Sequence, residues 1–420
     1  MGTGKTLSTL WAADFLMINK KIDKVLIVGP LSTLVPVWQK EIFESMPHRR
    51  GVVLHGPKKK RISLLECEEY DFYVINHDGV KLLNDEIIKK KFDLIIIDEL
   101  TAFKTFSADR TKAMNKISKT VKAVWGLTGS PTSNSPDEAF GQAKIVNPDN
   151  TALPTYFGQF RLLVMEKDPF NEYGFNPRLG WQDIVKRVLS PSIRHELRDC
   201  VDLPPTLYEE REIPMSAEQA RVYKEMKRDF LAEYSEGKIV ASNAGVKYLK
   251  LLQISSGSVY DQDGNVVRLN ATAKMKEVKE IFHQGNNRPI LVFITFRESM
   301  NQLKDFLKKF RVAVINGDVS AKNRGVIVND FQAGQIDFLL LQPKAASHGL
   351  TLTEASTTVW FTPFPSNEVY QQANARTVRP GQTRTQLIIR LYSSDAEKRM
   401  YKALDNKEKM STLLLDLIKS

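Results

Sequence analysis

The sequence predicts an α/β protein of two lobes, each a mainly parallel sheet flanked by helices, with helical insertions between them. Three observations carry this reading. The chain has 420 residues, more than one core usually organises, so two or three domains are expected. Short runs of branched aliphatic residues alternate with amphipathic stretches, the form that a helix-covered parallel sheet takes in sequence. The alternation occurs in both halves, which sets a boundary near residue 200, with one lobe over 1–200 and a second over 201–420. Composition agrees: 42% hydrophobic and 26% charged residues are ordinary for a globular protein and exclude a mainly disordered or collagen-like chain.

The elements follow in order. Gly2-Thr3-Gly4-Lys5-Thr6 opens an amphipathic segment that runs to about Ile18. Apolar runs at 25–28, 52–54, 73–75, 94–97 and 123–127 read as the strands of the first lobe. Residues 139–200 and 216–254 read as mostly helical, with Pro204-Pro205 and the turn-forming Asp261-Gln-Asp-Gly264 as punctuation. Strands resume at 290–294, 312–315, 338–341, 358–361 and 387–391. The longest apolar runs fall far below the ~18 residues of a membrane span, so no membrane association is expected. No basic start followed by a long apolar stretch marks a secretory signal. Cys67 and Cys200 are the two cysteines; standing in no paired motif, they suggest neither a disulfide framework nor a zinc site and fit a reducing interior. His55, His77 and His195 lack metal-ligand spacing, so satisfied or solvent-facing histidines are expected.

Lys plus Arg number 60 against 49 Asp plus Glu, a net charge of +11. The excess is not a tail, since residues 1–200 carry 29 basic and 24 acidic residues and residues 201–420 carry 31 and 25. Both halves could face one polyanion; a soluble protein without such a partner is the alternative of equal weight.

Three strings suggest phosphate chemistry. A Gly-rich turn at a helix N-terminus surrounds phosphates with backbone N–H groups, with Lys5 reaching the β- and γ-phosphates and the Thr6 hydroxyl binding Mg²⁺. A plain Gly-rich turn is the alternative. The run 92–99 is an apolar strand ending in Asp98 and Glu99, which delivers two carboxylates to the C-terminal edge of a parallel sheet. Asp98 would hold Mg²⁺ and Glu99 would polarise an attacking water; the alternative is a strand that ends in polar residues. In Gln371-Gln-Ala-Asn-Ala-Arg-Thr-Val-Arg-Pro-Gly-Gln382, Arg376 and Arg379 lie three apart. On a helical turn their guanidinium groups point the same way, suited to spread phosphate charge, or form part of a solvated basic helix.

This last string resembles the sixth motif of the SNF2 group of superfamily 2 helicase-like ATPases, approximately Q-A-x-G-R-x-x-R-x-G-Q. The resemblance covers essentially the whole chain in the family's order. Residues 1–6 look like motif I, and 25–38 with Glu41 like motif Ia. Asp98-Glu99 resembles motif II, and 127–131 with Asn134 motif III. Residues 290–296 resemble motif IV, and 346–353 motif V. The likeness implies two RecA-like lobes with ATP in their cleft. It implies Gly2, Thr3, Gly4, Lys5, Thr6, Gln372 and Gly349 as nucleotide-binding residues, and Thr6 and Asp98 as Mg²⁺ ligands. Lys5, Asp98, Glu99, Arg376 and Arg379 are implied as catalytic, the arginines acting across the cleft. Ser32, Thr295 and His348 are implied as nucleic-acid contacts.

Two departures touch function directly: Thr101 stands where the D-E-x-H motif has His, and Thr351 where motif V has Asn. Family members also carry a strand and a base-reading segment before GKT, so a chain truncated at its N-terminus is expected, with ATP bound more weakly than by a longer version. The resemblance implies an ATP- and Mg²⁺-dependent motor on double-stranded DNA, with single-stranded DNA or RNA as other partners. A strand-separating DNA or RNA helicase and a nucleic-acid-binding module with little ATPase activity are the competing readings. A compact microbial or viral type implies the cytoplasm of a microbial or virus-infected cell and leaves a nuclear location open.

Overall fold

In the computed structural model the chain divides into two compact units, Met1–Cys200 and Val201–Ser420. The structure describes residues 3–132, 135–168, 171–195, 197–200, 202–235, 241–260, 265–346, 350–379 and 381–406. In the first unit β1 (Val25–Gly29), β2 (Gly51–Val53), β3 (Phe72–Asn76), β4 (Leu94–Asp98) and β5 (Ala123–Leu127) form an all-parallel sheet. Its order is β2-β3-β1-β4-β5. Side chains alternate between faces along each strand. Val25, Ile27, Phe72, Val74, Leu94 and Ile96 enter one core with Leu10, Ala13 and Trp38, while Leu26, Val28, Tyr73, Ile75, Ile95 and Ile97 enter another. Burial on both faces explains why these strands read as continuous apolar runs.

Residues 139–200 depart from the mostly helical expectation. Helices Ala139–Val146, Phe157–Val164 and Trp181–Val188 are present, but β6 (Met165–Asp168) and β7 (Asn171–Pro177) form an antiparallel hairpin between them. Its strands hold few branched aliphatic residues, so the pairing left little trace in the pattern. Arg178 anchors its base, donating Nε to the Met165 carbonyl at 3.0 Å and its backbone N–H to Val164.

Helix Ala139–Val146 crosses the turn Leu100–Phe103 closely at Gly141. A Cβ there would meet the Phe103 carbonyl oxygen at 2.7 Å and that of Lys104 at 3.1 Å. Backbone cannot yield as a side-chain tip can, so Gly141→Ala should destabilise the protein by about 1–3 kcal/mol. Chemical denaturation measures this, and an unchanged midpoint would refute the tight crossing.

The second unit contains a six-stranded parallel sheet in the order β12-β13-β11-β14-β15-β8. Its strands are β8 (Thr206–Glu212), β11 (Ile290–Phe293), β12 (Val312–Ile315), β13 (Phe338–Leu341), β14 (Thr357–Trp360) and β15 (Gln386–Tyr392), and β9 (Ser258–Tyr260) pairs separately with β10 (Val266–Arg268). Helices Ala217–Ser235 and Ala241–Ser255 fill most of the stretch read as helical. The ten strands expected from apolar runs all form, each within one residue of its expected bounds. β8 was not expected, because Glu209, Glu210, Arg211 and Glu212 make it charged; such residues on an edge strand discourage pairing with other chains.

Arg390 on β15 ties this sheet to the helix Asn367–Asn374. Its Nε donates to the Tyr370 hydroxyl at 2.9 Å, and its two terminal nitrogens donate to Asp405 at 2.7 and 2.6 Å. The rings of Tyr208, Tyr370 and Tyr401 lie 5.3, 5.4 and 5.5 Å from its guanidinium carbon, within cation–π range. This node fixes the helix that leads to Arg376 and Arg379.

Candidate nucleotide-binding site

The first unit begins with helix Lys5–Ile18, whose Leu10, Ala13 and Met17 are buried. Gly4 caps it in the left-handed region, at φ 75° and ψ 15°, where glycine is unpenalised. The Gly4 carbonyl accepts the Ser8 N–H at 3.0 Å. The first turn carries no acidic residue, so no carboxylate of that turn offsets the partial positive charge of its N–H groups. Thr3, Lys5 and Thr6 are half-buried at this end. Gly2 lies outside the described residues.

Asp98 ends β4 at the C-terminal edge of the sheet, between β1 and β5, and Glu99 follows in the next turn. Asp98 Oδ2 accepts the Trp38 indole N–H at 3.1 Å, and Oδ1 accepts the Glu99 backbone N–H at 3.1 Å. The Asp98 carbonyl accepts a hydrogen bond from His77 Nε2 at 2.8 Å. Glu99 itself sits at φ 52° and ψ 60°, a left-handed conformation costing of the order of 1–3 kcal/mol for a residue with a Cβ. The turn Leu100–Phe103 begins from it, the Ala102 N–H donating to the Glu99 carbonyl at 2.9 Å.

His77 follows β3, and its backbone N–H donates to Gly29 at the end of β1, at 3.1 Å. Its ring meets Phe103 edge-on at 5.4 Å. Burial pushes its pKa below the usual value, against the opposing pull of its bond to the Asp98 carbonyl. The expectation of a satisfied histidine holds, but its partner is the residue that ends β4. Neither the Trp38 nor the His77 contact was found by sequence reasoning, since each joins residues distant in the chain without any spacing signal.

After β5 the Ser130 N–H donates to Thr128 Oγ1 at 3.3 Å. Fully buried Gln142 donates to the Pro131 carbonyl at 2.5 Å, which ties this polar loop to helix Ala139–Val146. Asn134 lies outside the described residues.

The chemistry of these groups suits a magnesium nucleotide. A hydroxyl from Thr6 and a carboxylate from Asp98 are hard oxygen donors. Among the described residues no group of three or more His, Cys, Asp or Glu could hold a metal ion. Mg²⁺ typically relies on one or two carboxylates with substrate phosphates and water, and the Asp98 carboxylate with the Thr6 hydroxyl matches that donor chemistry.

In the second unit Arg376 and Arg379 are not on the helix, as the spacing suggested, because helix Asn367–Asn374 ends before them. They still converge: their NH1 groups donate to the Leu350 carbonyl at 3.3 and 2.9 Å. Arg376 is buried and also donates Nε to the Gln372 carbonyl at 3.1 Å. Arg379 is half-buried and donates NH1 to Thr351 Oγ1 at 3.1 Å; burial pushes its guanidinium below the usual pKa. Gln372 is buried and donates to Glu368 Oε1 at 3.3 Å. Gly349 and His348 lie outside the described residues.

Of the other expected contacts, Ser32 is half-buried in the turn Leu31–Thr33 directly after β1. Thr295 is engaged within its own unit. Its hydroxyl donates to the Pro363 carbonyl at 2.9 Å and its N–H to Thr362 Oγ1 at 2.8 Å, so as arranged here it has no donor left for a phosphate.

The SNF2-related domain family matches residues 1–261. The chain belongs to it. The helicase conserved C-terminal domain matches residues 273–381 of the same SNF2-related chain. Protein p41 of Acyrthosiphon pisum secondary endosymbiont phage 1 is 26% identical, over 100% of this chain and 94% of its own length. An uncharacterized ATP-dependent helicase of Mycoplasma genitalium is 27% identical over 99% of this chain and 40% of its own length. The human DNA annealing helicase and endonuclease ZRANB3 is 25% identical over 91% of this chain and 35% of its own. The SNF2-related chain thus spans nearly all of the phage protein and under half of the other two.

Proposed function

We propose that this SNF2-related chain is a nucleic-acid-stimulated ATPase that moves on double-stranded DNA. The observation that carries the ATPase reading is the Asp98–Glu99 pair at the sheet edge, its carboxylate and backbone held by Trp38 and His77. In this reading the N–H groups around Thr3 and Gly4 receive phosphate oxygens, and Lys5 neutralises the β- and γ-phosphates. Thr6 and Asp98 would hold Mg²⁺, which would supply neutralisation of phosphate charge. Glu99 orients the attacking water and accepts its proton. Arg379 and Arg376 supply positive charge to the γ-phosphate during turnover, and Gln372 with Gly349 supports that group.

The DNA part of the proposal draws on the +11 charge shared by both halves and on the relative named a DNA annealing helicase. Ser32 and His348 are the proposed backbone contacts. Contacts of this kind are mainly to phosphates, so binding should weaken steeply with salt and show little sequence preference.

Duplex DNA should raise ATP turnover, and raise it more than single strands do. Phosphate release measured at low salt, with and without each nucleic acid, tests this. Equal turnover in all conditions would overturn the motor reading, and DNA binding without turnover would favour a binding module.

A further inference from the structure

We propose that His77 is a positioning residue for hydrolysis, holding the Asp98–Glu99 peptide so that the Glu99 carboxylate reaches the attacking water. The proposal rests on the ATPase reading above and adds a residue to it. The peptide between Asp98 and Glu99 is fixed at both ends. Its carbonyl accepts from His77 Nε2 at 2.8 Å, and its N–H donates to Asp98 Oδ1 at 3.1 Å. That fixing matters because Glu99 occupies a left-handed conformation that a residue with a Cβ leaves readily. Departure of Glu99 from this conformation would swing its side chain away while leaving Asp98 on β4.

His77 is well placed for the task because its own position is determined by neighbours. Its N–H is bonded across to Gly29 on β1, and β3 pairs with β1 up to Asn76, the preceding residue. Its ring lies edge-on against Phe103, within the turn that Glu99 opens. His77 therefore joins the ends of three adjacent strands to the turn that carries the proposed base: its backbone reaches from β3 to β1, and its imidazole reaches the end of β4 and Phe103. A carbonyl can only accept, so the bond requires the proton on Nε2. A purely space-filling histidine would have no such requirement.

The test uses the full chain with duplex DNA and compares the parent with His77→Ala and His77→Gln. The Ala variant should lose about tenfold to a hundredfold in kcat, the scale of a small misplacement of a reacting group. Its KM for ATP, ADP affinity by calorimetry and folded fraction at the assay temperature should match the parent. The Gln variant, whose amide nitrogen can take the place of Nε2, should recover most of the loss. Nitrogen NMR of the histidine-labelled parent should show His77 as the Nε2–H tautomer. Parental kcat in His77→Ala, a loss that His77→Gln does not recover, or the Nδ1–H tautomer would each overturn the proposal. A parent without turnover sinks the ATPase reading and this proposal together, whereas an active parent matched by His77→Ala sinks the proposal alone.

Discussion

Glu99→Gln should reduce ATP hydrolysis by about 10²–10⁴-fold, the usual contribution of a positioned general base, while nucleotide binding stays close to parental. The amide preserves the volume of the side chain and leaves the backbone interactions of the turn in place: the N–H to Asp98 Oδ1 and the carbonyl that accepts from Ala102. What it removes is a group able to accept a proton from water. Single-turnover hydrolysis measured beside ADP affinity separates the two quantities. Hydrolysis at the parent rate would show that the role belongs to another residue, and a parallel loss of binding would show that the substitution disturbs the turn itself.

Arg379→Lys should lower turnover by about 10³-fold or more, the scale of an arginine finger in related phosphoryl-transfer sites. Lysine keeps the charge but loses the planar fork that can bond two phosphate oxygens at once. ATP binding should change far less than turnover, because such a group acts mainly in the transition state. Arg379 is half-buried and donates to Leu350 and Thr351, so a stability loss of about 1 kcal/mol can accompany the change. Parental turnover would remove the finger assignment. So would a fall in turnover, binding and melting temperature in proportion, because Arg379 would then be a residue that holds the Leu350 segment in place.

The sheets were legible because their strands are buried on both faces and read as unbroken apolar runs, as Leu94 to Ile97 does. β8 was not, since an edge strand needs no such run and its sequence is dominated by Glu and Arg. The hairpin β6–β7 was hidden for a related reason: Met165 is buried while Glu166 and Lys167 face solvent, a pattern too short to stand out. At the site, Gly4 before Lys5 and the Asp98–Glu99 pair follow from local sequence, because a left-handed cap and a strand end are local features. The support from Trp38 and His77 is tertiary, created when β1, β3 and β4 align their ends. The helical reading of Arg376 and Arg379 failed because the helix stops at Asn374, whose side chain accepts the Trp360 indole N–H at 2.9 Å, and the chain then turns toward Leu350.

The pairing of β8 with β15 has a consequence for how the protein is made. The five strands of the first sheet all lie between Val25 and Leu127, so that unit can close while the ribosome is still at work. β8 emerges early in the second unit, but Thr206 pairs with Gln386 and Glu212 with Tyr392. At ~5–20 residues per second, the interval between the two strands is roughly 10–35 s. During that wait β8 has no partner strand, and the charges along Glu209 to Glu212 keep a nascent edge from recruiting a wrong one. The second sheet can be completed only after Tyr392 has been synthesised, which makes its final strand pairing a later step of biogenesis than closure of the first sheet.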